Sequence, residues 1–227
     1  MINIDKVEIV GWEHAIRGMR NPLNSWYKCD SALCKRDSNE CNVLAPYDCP
    51  KTGDFDEDYY CIGKNDFNLM MRLGNAGTDH AKYRRMITVY ADILAPLYWW
   101  KEYDTYKVGT VANSCSTMHK IQANEFTLDD FSHEQLDYSS KCMFKDIISV
   151  LNKNRDLFNN TKDKQYWWNM IQLLPSSYNQ KRTVMLNYEV LHNMYHSRKT
   201  HKLDEWRQFC EWIETLPYSE IIIGGNR

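Results

Sequence analysis

The stretch from Leu186 to Lys199, LNYEVLHNMYHSRK, places polar side chains where a helix should be apolar. If it is wound at about 100° per residue from Asn187, Arg198 returns to about 20° from that asparagine. Three apolar residues fall within about 60° of it and form a stripe: Val190, Leu191 and Met194. A guanidinium on this stripe can stabilise negative charge that develops on a ring nitrogen or a carbonyl, because it is permanently charged and planar. The alternative is an ordinary helix-end arginine, with Asn187 and Asn193 as structural amides.

Two further features bear on a site. The segment from Gly109 to Thr117, GTVANSCST, has the small, polar composition of a loop that lets a ligand approach the backbone. Its Cys115 raises the possibility of a nucleophile, but we interpret it as a plain small residue. His80 follows a glycine-rich turn, where a histidine either caps the chain or contacts a ligand.

The elements that position these residues alternate between strands and helices in the first half and are helical in the second. We expect strands at 6–12 and 87–93, the second from the alternation in MITVYADIL. We expect helices at 13–20, 66–73 with Asp66 as N-cap, 96–107, 129–159, 163–173, 186–199 and 201–216. The polar residues 21–65 read as a long irregular insertion. Early strands and late helices predict an α+β fold.

Bulk composition limits the function further. The chain has 227 residues, 43% of them hydrophobic, which is enough for one core and favours a single domain over 1–227. A formal net charge of -2 leaves no basic excess for a general nucleic-acid binder. We find no signal peptide and no apolar run long enough to span a membrane, so we expect a cytoplasmic protein. The 13% aromatic content fits either a dense core or a pocket for flat ligands.

Five of the eight cysteines lie in the first 61 residues: Cys29, Cys34, Cys41, Cys49 and Cys61. None of their spacings forms the C-x-x-C pair of a zinc site, so we expect no metal. Disulfides are also not expected without a secretory signal. We interpret these residues as thiols within the insertion, with a metal site or disulfides as the alternatives.

The late stretch resembles the flavin-dependent thymidylate synthases. That family carries a Leu-Pro pair, a segment N-x-R-S-L-x-N-F-x-x-x-R and a final helix. Here Leu174-Pro175 precedes Asn187, Leu191, Asn193 and Arg198 in the same register. The resemblance implies that both asparagines contact a flavin, and that Arg198 contacts and activates the pyrimidine of dUMP.

A second segment, from His80 to about Met118, aligns without gaps. The family's G-H-x-S-x-x-E-H stretch lies over DHAKYRRM, and its strand ending in Ala-Pro lies over Ala95-Pro96. Its R-H-R signature falls on Thr105-Tyr106-Lys107, and Arg20 overlays an arginine near the family's N-terminus. Together the two segments cover about a third of the chain.

The chain differs from the family's pattern mainly at positions where the family has charged residues. In the loop after R-H-R, the family's Glu, Ser and Arg fall on Asn113, Cys115 and Thr117. The serine that contacts flavin falls on Lys82. Two arginines, one of them used for the nucleotide phosphate, fall on Ile171 and Glu189. Each charge-assisted phosphate contact contributes roughly 1.5–3 kcal/mol. Either other cations replace them, with Lys101, Lys107, Arg84 and Arg85 as candidates, or the ligand differs.

The resemblance implies an α+β domain with a twisted, mainly antiparallel sheet flanked by helices, assembled as a homotetramer. It implies FAD as cofactor, with methylenetetrahydrofolate and NADPH as co-substrates in the C5 methylation of dUMP to dTMP. The implied cofactor contacts are Asn187, Asn193, His80, Lys82, Tyr106, Lys107 and Asn113. The implied substrate contacts are Glu102, Thr105, Cys115 and Ser116, with Arg198 catalytic. C5 methylation or hydroxymethylation of another pyrimidine nucleotide, and a non-catalytic relative with an assembly or regulatory role, are the alternatives.

Overall fold

The computed structural model describes residues 1–34 and 59–224, which are built around a four-stranded antiparallel sheet. The strands are β1 (Asn3–Val10), β2 (Ala32–Cys34), β3 (Tyr59–Cys61), β4 (Thr88–Pro96), β5 (Val111–Ser114) and β6 (Asn179–Asn187). The helices are α1 (Trp12–Arg20), α2 (Lys64–Asn75), α3 (Leu97–Tyr103), α4 (Thr117–Lys120), α5 (Tyr138–Thr161), α6 (Lys164–Leu173), α7 (Tyr188–Arg198), α8 (Asp204–Glu214) and α9 (Glu220–Ile223). The α+β fold with a mainly antiparallel sheet is confirmed.

The main sheet runs in the order β1-β4-β6-β5, and β2 pairs separately with β3. Strand β4 alternates as its sequence predicts, because Val89, Ala91 and Ile93 face the core and are buried. The neighbouring residues Tyr90 and Leu94 point to the other face and are partly exposed. The sheet thus has one apolar face covered by helices and one open face.

Two segments that the sequence predicts as helix and as loop contain strand residues instead. The predicted helix from Leu186 begins only at Tyr188, because Leu186 and Asn187 end strand β6, where they pair with Val89 and Thr88. The segment Gly109–Thr117, predicted as a loop, contains strand β5, which pairs with β6. Both strands are fixed by partners distant in sequence, which local composition does not reveal.

Helix boundaries differ from the predictions where other caps replace the expected ones. Asp66 does not cap α2. Instead the carboxylate of Asp30 accepts hydrogen bonds from the N–H groups of Asn65 and Asp66 at 2.8 and 3.0 Å. The long helix α5 starts at Tyr138 and not near 129, because the side chain of Asp137 accepts a hydrogen bond from the Ser140 N–H. The helix predicted to end at Lys107 already ends at Tyr103.

The described residues form two apolar clusters. The larger joins the sheet to α1, α2, α3, α7, α8 and α9, and its largest fully buried side chains include Trp99, Trp100 and Trp206. The smaller lies beneath α5 and α6 around Phe131, Leu151 and Met170. The Trp99-Trp100 pair therefore lies in a dense core, which is one of the two explanations that the sequence offers for the high aromatic content.

Part of the predicted insertion at 21–65 is regular. Two short 3-10 turns, Asn21–Leu23 and Trp26–Lys28, lead to the small β2–β3 sheet and to α2. Residues 35–58, including Cys41 and Cys49, lie outside the described residues, so the extent of the insertion stays a prediction. Of the described cysteines, Cys29, Cys115, Cys142 and Cys210 are free thiols.

Candidate functional site

Arg198 lies at the C-terminal end of α7, against the end of α3. Its Nε donates to the hydroxyl of Tyr106 at 2.9 Å, and its Nη1 donates to Oε2 of Glu102 at 2.9 Å. The guanidinium carbon is 4.9 Å from the ring centre of Trp206 and 5.5 Å from that of Tyr106. Within the described chain, Nη2 makes no hydrogen bond. Arg198 is therefore held in place on one side and keeps donors available on the other.

Glu102 gathers several donors at one oxygen. Besides Arg198, the indole Nε1 of Trp206 donates to Oε2 at 3.0 Å, and Nε2 of His201 lies 3.3 Å from the same atom. The resemblance implies that Glu102 contacts substrate, but it implies no role for Trp206 or His201. The available signal was their position beside Arg198 in sequence, at the start of the last amphipathic helix.

Asn187 is the N-cap of α7, because its Oδ1 accepts a hydrogen bond from the Val190 N–H at 3.0 Å. Its Nδ2 faces Gly109, where a Cβ would come within 2.8 Å of that nitrogen. Gly109 has a φ of +77°, so a side chain there would be strained as well as crowded. Asn187 and Arg198 thus border the same segment, 102–110, from opposite ends of α7.

Asn193 lies on another face of α7. Five residues separate it from Arg198, which corresponds to about 140° around the helix. Its side chain is exposed, whereas Leu191 and Met194 beside it are buried. The described chain therefore brings Asn187 and Arg198 to one segment and leaves Asn193 apart from them.

The predicted contacts after α3 lie on the surface. Thr105 and Lys107 are exposed, while Tyr106 is half-buried beneath Arg198. Thr105 Oγ1 donates to the backbone oxygen of Glu102 at 2.7 Å. Of these three residues, Tyr106 contacts Arg198, because its hydroxyl accepts a hydrogen bond from Arg198 Nε at 2.9 Å.

The predicted contacts on β5 and just after it are also exposed. Asn113 pairs with Thr183 of β6, and the backbone of Cys115 bonds with Lys181 and Gln180. Ser116 caps the short helix α4 by accepting a hydrogen bond from the His119 N–H at 3.1 Å. These side chains border open surface in the single chain.

His80 and Lys82 are exposed at the 3-10 turn Ala81–Met86. The neighbouring Arg84 was a candidate to replace a lost phosphate cation, but it is buried, with Nη1 3.7 Å from Oε2 of Glu189. Arg84 is thus committed to a carboxylate in the interior. Lys107, Lys101 and Arg85 remain exposed cations.

Arg20 also forms its hydrogen bonds within the protein. Its Nε donates to Oδ1 of Asp66 at 2.7 Å, and its two terminal nitrogens reach the backbone oxygens of Ser25 and Lys28. All three nitrogens have protein partners, and the side chain is only 4% exposed. Arg20 holds the 21–34 segment against α2.

Four cavities in the described surface lie elsewhere. One of about 420 Å³ lies between α1 and the 26–33 segment, and one of about 680 Å³ follows β1. The others, of about 820 and 360 Å³, border Tyr98 with Ser132 and Ile2 with Trp212. Asn187, Asn193 and Arg198 line none of these four.

The donors present fit a flavin and a pyrimidine in part. Asn187 Nδ2 and Arg198 Nη2 are donors without hydrogen-bond partners in the described chain, and both border segment 102–110. Within segment 102–110 the exposed cation is Lys107. Among residues 1–34 and 59–224 no three His, Cys, Asp or Glu side chains converge as metal ligands do, and no helix there could cross a bilayer.

The fold has solved counterparts. The chain superposes on thymidylate synthase X (ThyX) from Helicobacter pylori with FAD and dUMP with a TM-score of 0.63, at 13% identity, over 97% of this chain and 96% of that one. A second structure of the flavin-dependent thymidylate synthase ThyX from Helicobacter pylori, complexed with FAD and dUMP, gives 0.62 at 14% identity, over 96% of each chain. No family model and no curated protein sequence matches the chain. These likenesses establish the fold.

Proposed function

We propose that this protein is a divergent flavin-dependent thymidylate synthase that methylates C5 of a uridine-type nucleotide, with dUMP as the first candidate. The likeness to two structures that hold FAD and dUMP extends over nearly the whole chain. The observation that carries the proposal is the orientation of Arg198, which Glu102 and Tyr106 hold with Nη2 available. A guanidinium held in one orientation with available donors suits activation of a pyrimidine ring, because directed hydrogen bonds stabilise negative charge that develops on a ring carbonyl.

In this proposal the chain binds and orients its ligands. Arg198 stabilises negative charge on the pyrimidine ring, and the Nδ2 of Asn187 with the exposed Asn193 and Lys107 would hold FAD. FAD supplies hydride when bound, and methylenetetrahydrofolate and NADPH are the proposed co-substrates. The remaining proposed cofactor contacts are His80, Lys82, Tyr106 and Asn113. Thr105, Cys115 and Ser116 are the proposed substrate contacts.

We further propose that neighbouring subunits of a cytoplasmic homotetramer complete the site. Val108 and Val111, which flank the proposed contacts, are 89% and 60% exposed in the single chain. A partner that covers this surface would enclose the ligands and exclude water from them. Sedimentation of the purified protein tests this, and a monomer with bound flavin would contradict it.

The flavin spectrum of the purified protein, with and without dUMP, tests the proposed function. We expect a bound flavin whose absorption shifts when dUMP is added, together with growth of a thymidine-requiring host that expresses the protein. Arg198→Ala should abolish growth and leave the fold intact, while Asp104→Asn, two residues beyond Glu102, should support growth. A colourless protein that takes up no FAD would contradict the proposal.

A different pyrimidine nucleotide is the second candidate. It is favoured by the position of Glu189, a buried carboxylate where the family has an arginine, and by Ile171, which packs with the smaller apolar cluster. Neither can hold a phosphate. A flavin spectrum that dUMP leaves unchanged and another pyrimidine nucleotide shifts would support this candidate, whereas a protein without flavin would support a non-catalytic relative.

A further inference from the structure

Arg198 and Glu102 form an ion pair whose geometry is fixed from several sides. Arg198 Nη1 lies 2.9 Å from Glu102 Oε2, and the same oxygen accepts a hydrogen bond from Trp206 Nε1 at 3.0 Å. Trp206 is fully buried, so it gives this oxygen a rigid reference point. The carboxylate therefore has little freedom to follow Arg198 if the arginine turns toward a ligand.

His201 completes the arrangement, and its tautomer follows from its neighbours. The Leu203 N–H donates to His201 Nδ1 at 3.2 Å, so in the neutral ring the hydrogen must be on Nε2. Nε2 lies 3.3 Å from Glu102 Oε2, close enough for an electrostatic contact with the carboxylate but not aligned as a hydrogen-bond donor to it. Two donors, from Arg198 and Trp206, thus meet at one oxygen with His201 close by, which holds Glu102 in place.

This pairing also removes most of the net charge of Arg198. The carboxylate neutralises the guanidinium at 2.9 Å, and the remaining close neighbours of Arg198, Tyr106 and Trp206, are neutral. A compensated guanidinium still donates directed hydrogen bonds, but it attracts a free anion weakly. Nη2 is thus suited to a neutral carbonyl acceptor on a ring and poorly suited to a phosphate.

We propose that Glu102 is a positioning residue that holds Arg198 toward a neutral heterocyclic carbonyl and away from phosphate. The resemblance implies that Glu102 contacts substrate directly. Here it acts through Arg198 and sets which part of the ligand Arg198 can bind. The identification of that carbonyl with a pyrimidine ring rests on the proposed function.

Titration of the protein with inorganic phosphate, followed by calorimetry, tests this without flavin or turnover. Glu102→Gln leaves Arg198 uncompensated, so we expect phosphate to bind at least about tenfold more tightly than to the parent. Adding Arg198→Ala to this variant should abolish the gain. Glu102→Asp, which keeps the charge, should resemble the parent. Asp104→Asn is the matched control, because Asp104 is two residues away and pairs with Arg182 at 2.7 Å instead.

A comparison of deoxyuridine with dUMP separates recognition of the ring from recognition of the phosphate. In the parent, deoxyuridine should bind within about threefold of dUMP, whereas Glu102→Gln should prefer dUMP about tenfold or more. Where the parent turns over, Glu102→Gln should lower kcat about tenfold without raising the KM for dUMP. A purely structural role for Glu102 would weaken all binding together.

Phosphate binding that is equal in the parent and in Glu102→Gln would overturn this inference, as would a gain that survives Arg198→Ala. Absence of flavin would overturn the proposed function instead and leave the phosphate result decisive. Should Glu102→Gln fail to fold, Glu102→Ala, which also removes the negative charge beside Arg198, gives the same comparison.

Discussion

Arg84 and Glu189 lie together in the interior, with Nη1 3.7 Å from Oε2 and side chains that are 5% and 8% exposed. Glu189 Oε2 and Arg84 Nε have no hydrogen-bond partner among the described residues. The cation that the resemblance places at position 189 is thus replaced by an anion whose partner is Arg84. Glu189 and Arg84 therefore compensate each other's charge in the interior.

Glu189→Ala should destabilise the protein by about 3–5 kcal/mol, because it leaves the Arg84 guanidinium buried without a counter-charge. The double variant Arg84→Met with Glu189→Leu should recover most of that loss, since it removes both charges. Urea denaturation measures both. As a control, Asp204→Ala breaks the exposed pair with Arg207 and should cost less than about 1 kcal/mol. Equal losses in the single and double variants would show that the pair does not carry the effect.

Asn187 has two separable roles. Asn187→Ala should cost about 1 kcal/mol through loss of the N-cap. Asn187→Asp keeps an acceptor for the Val190 N–H and adds a negative charge at the start of a helix, so stability should be retained. The aspartate nevertheless lacks the Nδ2 donor, and its affinity for FAD should fall. Measured by thermal unfolding and FAD titration, an unchanged FAD affinity in Asn187→Asp would limit Asn187 to its cap.

The two histidines of α7 should make stability depend on pH. Burial lowers the pKa of His192, and the nearby positive charge of Arg84 lowers it further. Two groups raise this pKa and so oppose the shift: the Ile222 carbonyl, which accepts a hydrogen bond from His192 Nδ1, and the Glu189 carboxylate. Burial, with His192 and then Lys199 and Arg84, also lowers the pKa of His196, against the opposing effect of the Ile222 backbone. In the unfolded chain both histidines have the ordinary pKa of about 6.5, so near this pH they bind more protons than they do in the folded protein. The free energy of unfolding should therefore decrease as the pH falls below about 6.5.

Urea midpoints measured between pH 7.5 and 5 test this. His192→Asn combined with His196→Asn should flatten the acid side of the profile, while His14→Asn at the exposed end of α1 should leave it unchanged. A parent whose stability rises on acidification would contradict the prediction.

Cys29 should react slowly with iodoacetamide at pH 8. Burial raises the pKa of its thiol, and the Asp66 carboxylate raises it further, although the Ser31 backbone and Arg20 oppose this. Because only the thiolate reacts, alkylation should be slower in the folded protein than in urea, with the difference shrinking at higher pH. Peptide mass spectrometry follows Cys29 separately from the exposed Cys142. Faster reaction in the folded state would contradict the assignment.

Local sequence signals predict the elements in which the period of the apolar residues itself marks the strand or helix. The alternation of Ile87, Val89 and Ala91 predicts β4 because each buried side chain is itself apolar. The amphipathic pattern of 13–20 predicts α1 within one residue at its start. In both cases the period of the apolar residues and the exposure in the fold agree.

The missed elements depend on partners. Residues 111–114 are all exposed, so no burial pattern marks β5, and only pairing with 182–185 makes it a strand. The position of Arg198 in the helix predicts a site residue, but spacing does not predict its hydrogen bonds to Tyr106 and Glu102, which lie 92 and 96 positions earlier. The same holds for Arg20, whose partner Asp66 lies 46 positions away.

The sheet order β1-β4-β6-β5 places the last strand in sequence between two earlier ones. During synthesis, β4 and β5 leave the ribosome long before residues 179–187. The edge of β4 that pairs with β6 therefore stays unpaired until β6 has been made. Such long-range pairing slows folding and leaves the nascent chain prone to aggregate. Chains that terminate before β6 should therefore accumulate as chaperone-bound or insoluble material.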